Sequence, residues 1–394
     1  MQEAYIVSAV RTPVGKFGGA LKNVAAPQLG AIAIRAALER CGVAPAEVQE
    51  VIMGNVVQAG LGQNPARQAS VAAGVPVEVP SYTVNKVCGS GLKSVVLAAQ
   101  SIALSEAEIV VAGGMENMSA APFLLRNARW GYRLGNGELV DAMVYDGLWE
   151  VFKDYHMGMT AENLAAEFGI SRDEQDAFAV ASQAKTAAAV EAGFFRDEIV
   201  PVSAPQGKEP VIQLDKDEHP RPGTTLKTLA NLKPAFKPDG TVTAGNASGI
   251  NDAAAAVVVM SVHEMKRRRL EPLGRIVGYA TVGLDPARMG LGPVGAASRA
   301  LQKAGLSIAD MDLVEINEAF AVQTLAVMRE LRIDADRLNV HGGAIALGHP
   351  IGASGTRIVV TLLHAMRRRR SRRGLATLCV GGGQGIALIV ERNE

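Results

Sequence analysis

Four segments of this 394-residue chain carry residue types suited to nucleophilic and acid–base chemistry. Cys88 stands in Asn85-Lys86-Val87-Cys88-Gly89-Ser90-Gly91, ahead of an apolar helical run, Leu92 to Leu104, whose one charged residue is Lys93. A free thiol with its ordinary pKa of about 8.5 is only a few per cent thiolate at neutral pH. At the start of a buried helix, free N–H groups and the dipole favour negative charge, and the glycines let a substrate approach the backbone. The same pattern also suits a small apolar cysteine beside a tight turn. His349 lies in the glycine-rich stretch His341 to Gly355, where a lone histidine is equally at home as a structural residue. Cys379 opens Cys379-Val380-Gly381-Gly382-Gly383-Gln384-Gly385 at the end of a strand. Consecutive glycines weaken regular structure but let backbone N–H groups crowd a ligand oxygen; a turn with a buried cysteine is the other reading. Asn317-Glu318-Ala319-Phe320 ends the strand Leu313 to Ile316, where polar groups of an open α/β sheet meet ligands, although Asn317 also suits a helix cap.

An internal repeat says how these segments are positioned. Ala37-Leu38-Glu39-Arg40-Cys41-Gly42-Val43 recurs as Ala300-Leu301-Gln302-Lys303-Ala304-Gly305-Leu306, and at the same offset Glu47 falls on Asp310, Val51 on Val314 and Met53 on Ile316. Each copy reads as an amphipathic helix ended by glycine, a polar link and an apolar strand. Further on, Ser90-Gly91 matches Ser354-Gly355; helical runs follow, Leu92 to Leu104 and Thr356 to Met366, then strands ending in glycines, Ile109 to Gly114 and Leu375 to Gly383. The order and spacing predict a duplicated α/β fold. Two halves related by a pseudo-dyad bring the Cys88 and His349 turns toward each other, which pairs a thiol with the base it needs.

The repeat also locates an insertion. Gly381 to Gly385 lead straight into a closing strand, Ile386 to Val390, whereas after Gly113-Gly114 the matching run, Ala253 to Met260, comes only much later. Residues 121–248, with Trp130, Tyr132, Trp149 and Tyr155, are therefore expected to form an inserted domain. The first core half then takes 1–120 plus 249–270 and the second 271–394, with a site at their joint.

Composition narrows the class. With 48% hydrophobic and 20% charged residues the chain is globular, and a net charge of +1 argues against nucleic acid or an anionic membrane as main partner. Two basic runs, Lys266 to Arg269 and Arg367 to Arg370 with Arg372-Arg373, follow apolar segments and read as solvated helix C-termini. Apolar runs such as Ala253 to Met260 are too short to span a bilayer, and no leader is expected because Met1 to Val10 already reads as a strand. Cys41, Cys88 and Cys379 are an odd set, expected to be reduced thiols in the cytoplasm.

Together, Asn85 to Gly91, Asn317 to Phe320, Gly348-His349-Pro350-Ile351-Gly352-Ala353-Ser354-Gly355 and Cys379 to Gly383 resemble the thiolase family, in order and over the whole chain from Val7-Ser8-Ala9-Val10-Arg11-Thr12-Pro13 onward. The resemblance implies two five-stranded βαβαβαββ halves in a five-layered αβαβα core with an inserted loop domain. It implies that Cys88 takes the acyl group, with His349 accepting its proton, and that Cys379 removes or returns the α-proton of the second acetyl group. Asn317, through a water, and His349 would hold the oxygen of the incoming thioester, and the N–H groups of Cys88 and Gly381 that of the acyl-cysteine intermediate. A thioester α-proton is weakly acidic, so a base needs such preorganised donors beside it. No metal and no resident cofactor is implied, coenzyme A being a substrate.

Within the family, His156-Met157-Gly158 followed by Thr160-Ala161-Glu162-Asn163 looks like the short-chain, biosynthetic type. Met157 and Phe320 would then narrow the acyl pocket and Met289 line it, and Leu148, His156, Arg221, Thr228, Ala244 and Ser248 fall where the family meets its substrate and coenzyme A; read locally, Met157 also suits core packing and Arg221 a solvated loop charge. Thr228 stands where many biosynthetic relatives carry serine. The implied partners are acetyl-CoA, acetoacetyl-CoA and CoA, in a homotetramer built as a dimer of dimers, with Arg126, Arg129 and Arg133 in a segment resembling the tetramerisation loop. Alternatives are a broader-chain 3-ketoacyl-CoA thiolase and a non-catalytic acyl-CoA-binding subunit; decarboxylating synthases of the same fold lack the cysteine at Cys379.

Overall fold

The protein, seen in a computed structural model, is described over residues 2–392. Its frame is a mixed sheet read in two passes. In the first, β1 (Ala4–Arg11), β2 (Glu50–Gly54), β3 (Ser81–Val84), β4 (Ile109–Asn117) and β5 (Asn251–Ser261) lie in the order β3-β2-β4-β5-β1. In the second, β6 (Gly274–Gly283), β7 (Leu313–Ile316), β8 (Arg373–Val380) and β9 (Gln384–Glu391) repeat that order as β7-β8-β9-β6. The directions repeat too: β2 is parallel to β4 as β7 is to β8, while β5 and β9 are each antiparallel to both neighbours. Two pairs, Tyr5↔Arg275 and Ile6↔Gly274, join the halves along one edge.

The counterpart of β3 in the second half is reduced to a single bridge, Val314↔Leu338. There Asn339 adopts a left-handed φ of 42°, and its side chain takes over the pairing, accepting from the Ile316 N–H (2.9 Å) and donating to the Ile316 carbonyl (2.9 Å). An amide side chain thus stands in for a strand.

Helices make the layers. The helix α1 (Ala26–Cys41) covers the outer face of the first pass, while α5 (Gly292–Ala304) and α6 (Ala321–Leu331) cover that of the second. Between the passes lie α2 (Ser90–Ala103) and α7 (Ile351–Arg369), sharing one apolar core with the inner faces of both. With both faces covered, β4 and β5 are buried at every position, which is why they read as continuous apolar runs. The central helices cross at repeat-equivalent glycines: a Cβ on Gly355 would lie 2.2 Å from the Leu92 nitrogen, and one on Gly91 2.7 Å from Thr356 Oγ1. A side chain at either place would force the halves apart.

Several boundaries differ from expectation. The strand expected over Met1 to Val10 runs Ala4–Arg11, Met1 lying outside the described residues, as do Asn393 and Glu394 at the end of the expected second half. The strand expected to Gly383 stops at Val380, and the glycines after it form the turn into β9. The helical run expected from Thr356 begins at Ile351, because Pro350 at its N-cap and Ser354 bonded back to the Pro350 carbonyl (2.8 Å) organise one more turn.

Between Asn117 and Asn251 the chain leaves the sheet. It includes α3 (Gly158–Phe168) and α4 (Arg172–Glu191), the latter started by the capping box of Ser171 and Glu174. Although it departs from the first half, α4 packs against the second: Ser182 Oγ donates to Glu318 (2.7 Å), Thr186 Oγ1 to the His341 carbonyl (3.2 Å) and Lys185 Nζ to the Leu338 carbonyl (2.8 Å). It braces the strand-end segments that carry Asn317 and His349.

Candidate active site

Cys88 is presented by a turn that its own motif holds. Val87 sits at φ 47°, a left-handed conformation costly for a β-branched residue. Asn85 Oδ1 accepts from the Val87 N–H (3.0 Å), while Ser90 Oγ donates to the Val87 carbonyl (2.6 Å) and accepts from the Lys86 N–H (2.8 Å). The strain leaves Cys88 just before the first turn of α2, partly exposed to a cavity of about 300 Å³.

His349 reaches the same cavity from the other half. Its Nδ1 lies 2.6 Å from Ser354 Oγ, whose one proton goes to the Pro350 carbonyl (2.8 Å). The serine oxygen is therefore the acceptor, Nδ1 carries the ring hydrogen, and Nε2 is left with the free lone pair. Asn317 Nδ2 lies over the ring nitrogens at 3.4 and 3.5 Å, the long end of hydrogen-bond range. Asn317 does not cap α6, whose N-cap is Phe320, so that alternative falls.

Electrostatics fixes the resting protonation. Burial pushes the Cys88 thiol up to about 11 against the pull of the Gly381 and Cys88 N–H groups, and the carboxylate of Glu116 adds to the rise. Burial pushes His349 down to about 3, with Arg357 contributing. Cys379, wholly buried, is raised further still by burial and then by the sulfur of Cys88 nearby. The helix-start argument for a ready thiolate is thus corrected: lost hydration outweighs the N–H groups, and the pair rests as thiol and neutral imidazole.

The cavity gathers most of the residues singled out by sequence. Cys88, Leu148, His156, Met157, Ala244, Ser248, Met289, Phe320, His349 and Gly381 line it. Asn317 and Cys379 are not in its lining; each is wholly buried, Cys379 in an apolar cluster with Met157, Met289 and Phe320. Arg221 and Thr228 lie apart, in a more polar second cavity of about 300 Å³ that shares Ala244 with the first. Thr228 Oγ1 is engaged in the local capping box with Thr225. Phe236 was not anticipated: it stacks on His156 with ring centres 4.7 Å apart, meets Phe320 edge-on at 6.1 Å, and closes the cavity wall. Nothing in its sequence neighbourhood marks it. Ser354 was legible as a repeat match and as part of the Gly348 to Gly355 motif, but its control of the imidazole tautomer needs the fold. A thiol, a neutral imidazole facing it, and two N–H groups aimed at the sulfur's surroundings can carry acyl transfer through a covalent thioester.

Comparison with known proteins gives the same direction. Residues 4–263 match the thiolase N-terminal domain and residues 270–392 the thiolase C-terminal domain. The acetyl-CoA acetyltransferases of Pseudomonas aeruginosa and Cupriavidus necator are each 59% identical to the chain, with all of both sequences covered. Among solved structures, the acetyl-CoA acetyltransferase of Bacillus anthracis superposes with a TM-score of 0.97 at 47% identity, covering 99% of both chains. Human mitochondrial 3-ketoacyl-CoA thiolase superposes with a TM-score of 0.97 at 48% identity, covering 100% of this chain and 99% of its own.

Proposed function

The chain belongs to the thiolase family, and from that premise we propose that it is an acetyl-CoA C-acetyltransferase, reversibly condensing two acetyl-CoA into acetoacetyl-CoA and CoA. The observation that carries this reading is the placement of Cys88, His349 and Gly381 around one mostly apolar cavity narrowed by Met157, Met289 and Phe320.

In the reaction so read, the Cys88 sulfur attacks the thioester carbon of acetyl-CoA while its proton passes to Nε2 of His349. The carbonyl oxygen becomes an oxyanion held by the N–H groups of Cys88 and Gly381. The carbon–sulfur bond to CoA breaks, Cys379 gives its proton to the departing CoA sulfur, and acetyl-Cys88 remains beside a protonated His349 and a Cys379 thiolate. Cys379, as its thiolate, then takes the α-proton of a second acetyl-CoA. His349, protonated at Nε2, and Asn317, through a water, hold the enolate oxygen; the enolate carbon attacks acetyl-Cys88, and the Cys88 sulfur leaves and takes back its proton from His349. Read backward, the same steps are thiolysis, for which the neutral Cys379 thiol already carries the proton the enolate needs. No step calls for a metal or a resident cofactor. Arg221 and Thr228, across the shared Ala244 wall, would take the far end of CoA. We further propose a cytoplasmic homotetramer. Among the described residues no helix is long and apolar enough to cross a membrane.

Thiolysis of acetoacetyl-CoA by the purified protein tests the reading, with 3-ketooctanoyl-CoA as second substrate. Turnover of the first is expected, weaker use of the second, and a loss of about 1,000-fold or more in Cys88→Ser. Equal use of both would favour a broader-chain thiolase and defeat the narrow-pocket argument; no turnover of either would leave an acyl-CoA-binding subunit.

A further inference from the structure

Glu116 is wholly buried at the end of β4, and four donors converge on its two oxygens. Oε1 accepts from Asn55 Nδ2 (2.7 Å) and the Val57 N–H (3.2 Å); Oε2 accepts from the Val56 N–H (3.0 Å) and the Gly352 N–H (2.9 Å). Three of these donors belong to the first half. The fourth lies in the first turn of α7, in the second half, just beyond His349. Asn251 makes a parallel link from β5: its Oδ1 accepts from the His349 N–H (2.9 Å) and its Nδ2 donates to the Gly15 carbonyl (2.9 Å). Two side chains on adjacent strands of one half therefore grip the other half on either side of Pro350.

A carboxylate is the group this geometry asks for. An amide would offer one acceptor oxygen and turn its NH₂ toward two N–H donors, and a protonated carboxyl would do the same with its O–H. Burying a charge is costly, so its retention calls for a task beyond filling space. Val57 and Ile351, which flank the gripped backbone, pack in one cluster with Cys88. We propose that Glu116 is a positioning residue for the Cys88–His349 pair: it fixes, across the joint of the two halves, the separation over which the thiol proton passes, and its charge adds to the burial that holds Cys88 as a thiol until His349 takes that proton. Burial pushes Glu116 itself up to about 7 despite its three backbone donors, and the charge of Asp252 on β5, paired with Asn117, adds to the rise. The inference rests on the roles proposed above for Cys88 and His349.

Glu116→Gln and Glu116→Asp, compared with the unaltered protein, separate position from charge. In Glu116→Gln, kcat for acetoacetyl-CoA thiolysis is expected to fall about 100-fold with KM changed less than about threefold, because the reacting groups and not the binding surface are displaced. Iodoacetamide alkylation of Cys88 followed against pH should also shift to lower pH, since a neighbouring negative charge is gone. Glu116→Asp keeps the charge on a shorter arm, so its alkylation profile should stay in place while kcat falls about tenfold or more. Asp252, bonded to Ser119 and itself raised to about 6, and Glu218 are present in all three proteins; alkylation is compared from about pH 8 upward, where Asp252 is already ionised. A kcat within about twofold of the unaltered protein in Glu116→Asp, or an unshifted alkylation profile in Glu116→Gln, overturns the proposal. Should Glu116→Gln fail to fold, Glu116→Asp decides; should the unaltered protein turn over no substrate, the functional reading fails and alkylation still decides the role of Glu116.

Discussion

The Cys88–His349 pair poses a question of sign at the level of single residues. A thiol raised to about 11 is less ionised at any given pH, and an imidazole lowered to about 3 is neutral everywhere above that. At pH 7 the pair is thus uncharged, and a thiolate–imidazolium ion pair would have needed the opposite shifts. Alkylation of the free protein by iodoacetamide should therefore keep rising from roughly pH 7 to 9, approaching about tenfold per unit at the top of that range once Glu116 is ionised, with no plateau. A plateau setting in below about pH 8 would reveal a preformed ion pair and sink this account. Sequence named both residues because their motifs and repeat positions do, yet it expected the start of α2 to favour the thiolate. The missing quantity was burial, which depends on Met118 and Ile351 packing round the cysteine from distant segments. Ser354 and Phe236 escaped for the same reason: a tautomer and a stacked wall are relations between segments, not properties of one.

Among the secondary-structure elements, the duplicated core follows from the repeat, and its tightest test is where α2 and α7 cross. Gly91 and Gly355 are the residues that the repeat aligned, and the structure sets each against the other helix's backbone. Gly355→Ala should cost about 1–3 kcal/mol, the usual range for overpacking a close-packed core, read as a lowered urea midpoint at unchanged slope. An unchanged midpoint would mean that the helices slide apart freely and that the crossing does not set the joint between the halves. The basic runs also resolve as elements. Lys266, Arg267 and Arg268 close the helix Val262–Arg268, where Arg268 pairs with Glu264 (2.5 Å) and Glu47 (2.6 Å), and Arg367 to Arg369 form the last turn of α7. Less legible was the second half's missing edge strand, since a side chain, Asn339, does there what backbone does in the first half. Nor did sequence say that α4 would cross over to the second half; helix periodicity reports a buried face but not which surface covers it.

For the whole molecule, the apolar surface left uncovered argues for association. Phe123, Leu125, Trp130, Leu134 and Leu139 cluster in one excursion of the inserted segment, with Trp130 84% and Leu134 99% exposed. Large apolar side chains this bare in a short stretch mark a contact with another chain. A second feature is β3, whose one strand partner among the described residues is β2, although Asn64 Nδ2 donates to its Ser81 carbonyl (2.9 Å); its other edge has no strand beside it. Two separate self-association surfaces are what a dimer of dimers requires, each closed by its own two-fold axis. Sedimentation should accordingly give a tetramer, and replacing Trp130 and Leu134 together by aspartate should reduce it to a dimer. Neither side chain lines the cavity that holds Cys88 and His349, so kcat per chain in that dimer should stay within about twofold of the tetramer's. A tetramer that survives the double substitution would move the contact off this excursion. A dimer that has lost activity would instead mean that the excursion supports the cavity from a neighbouring chain, and the site could no longer be treated as complete within one.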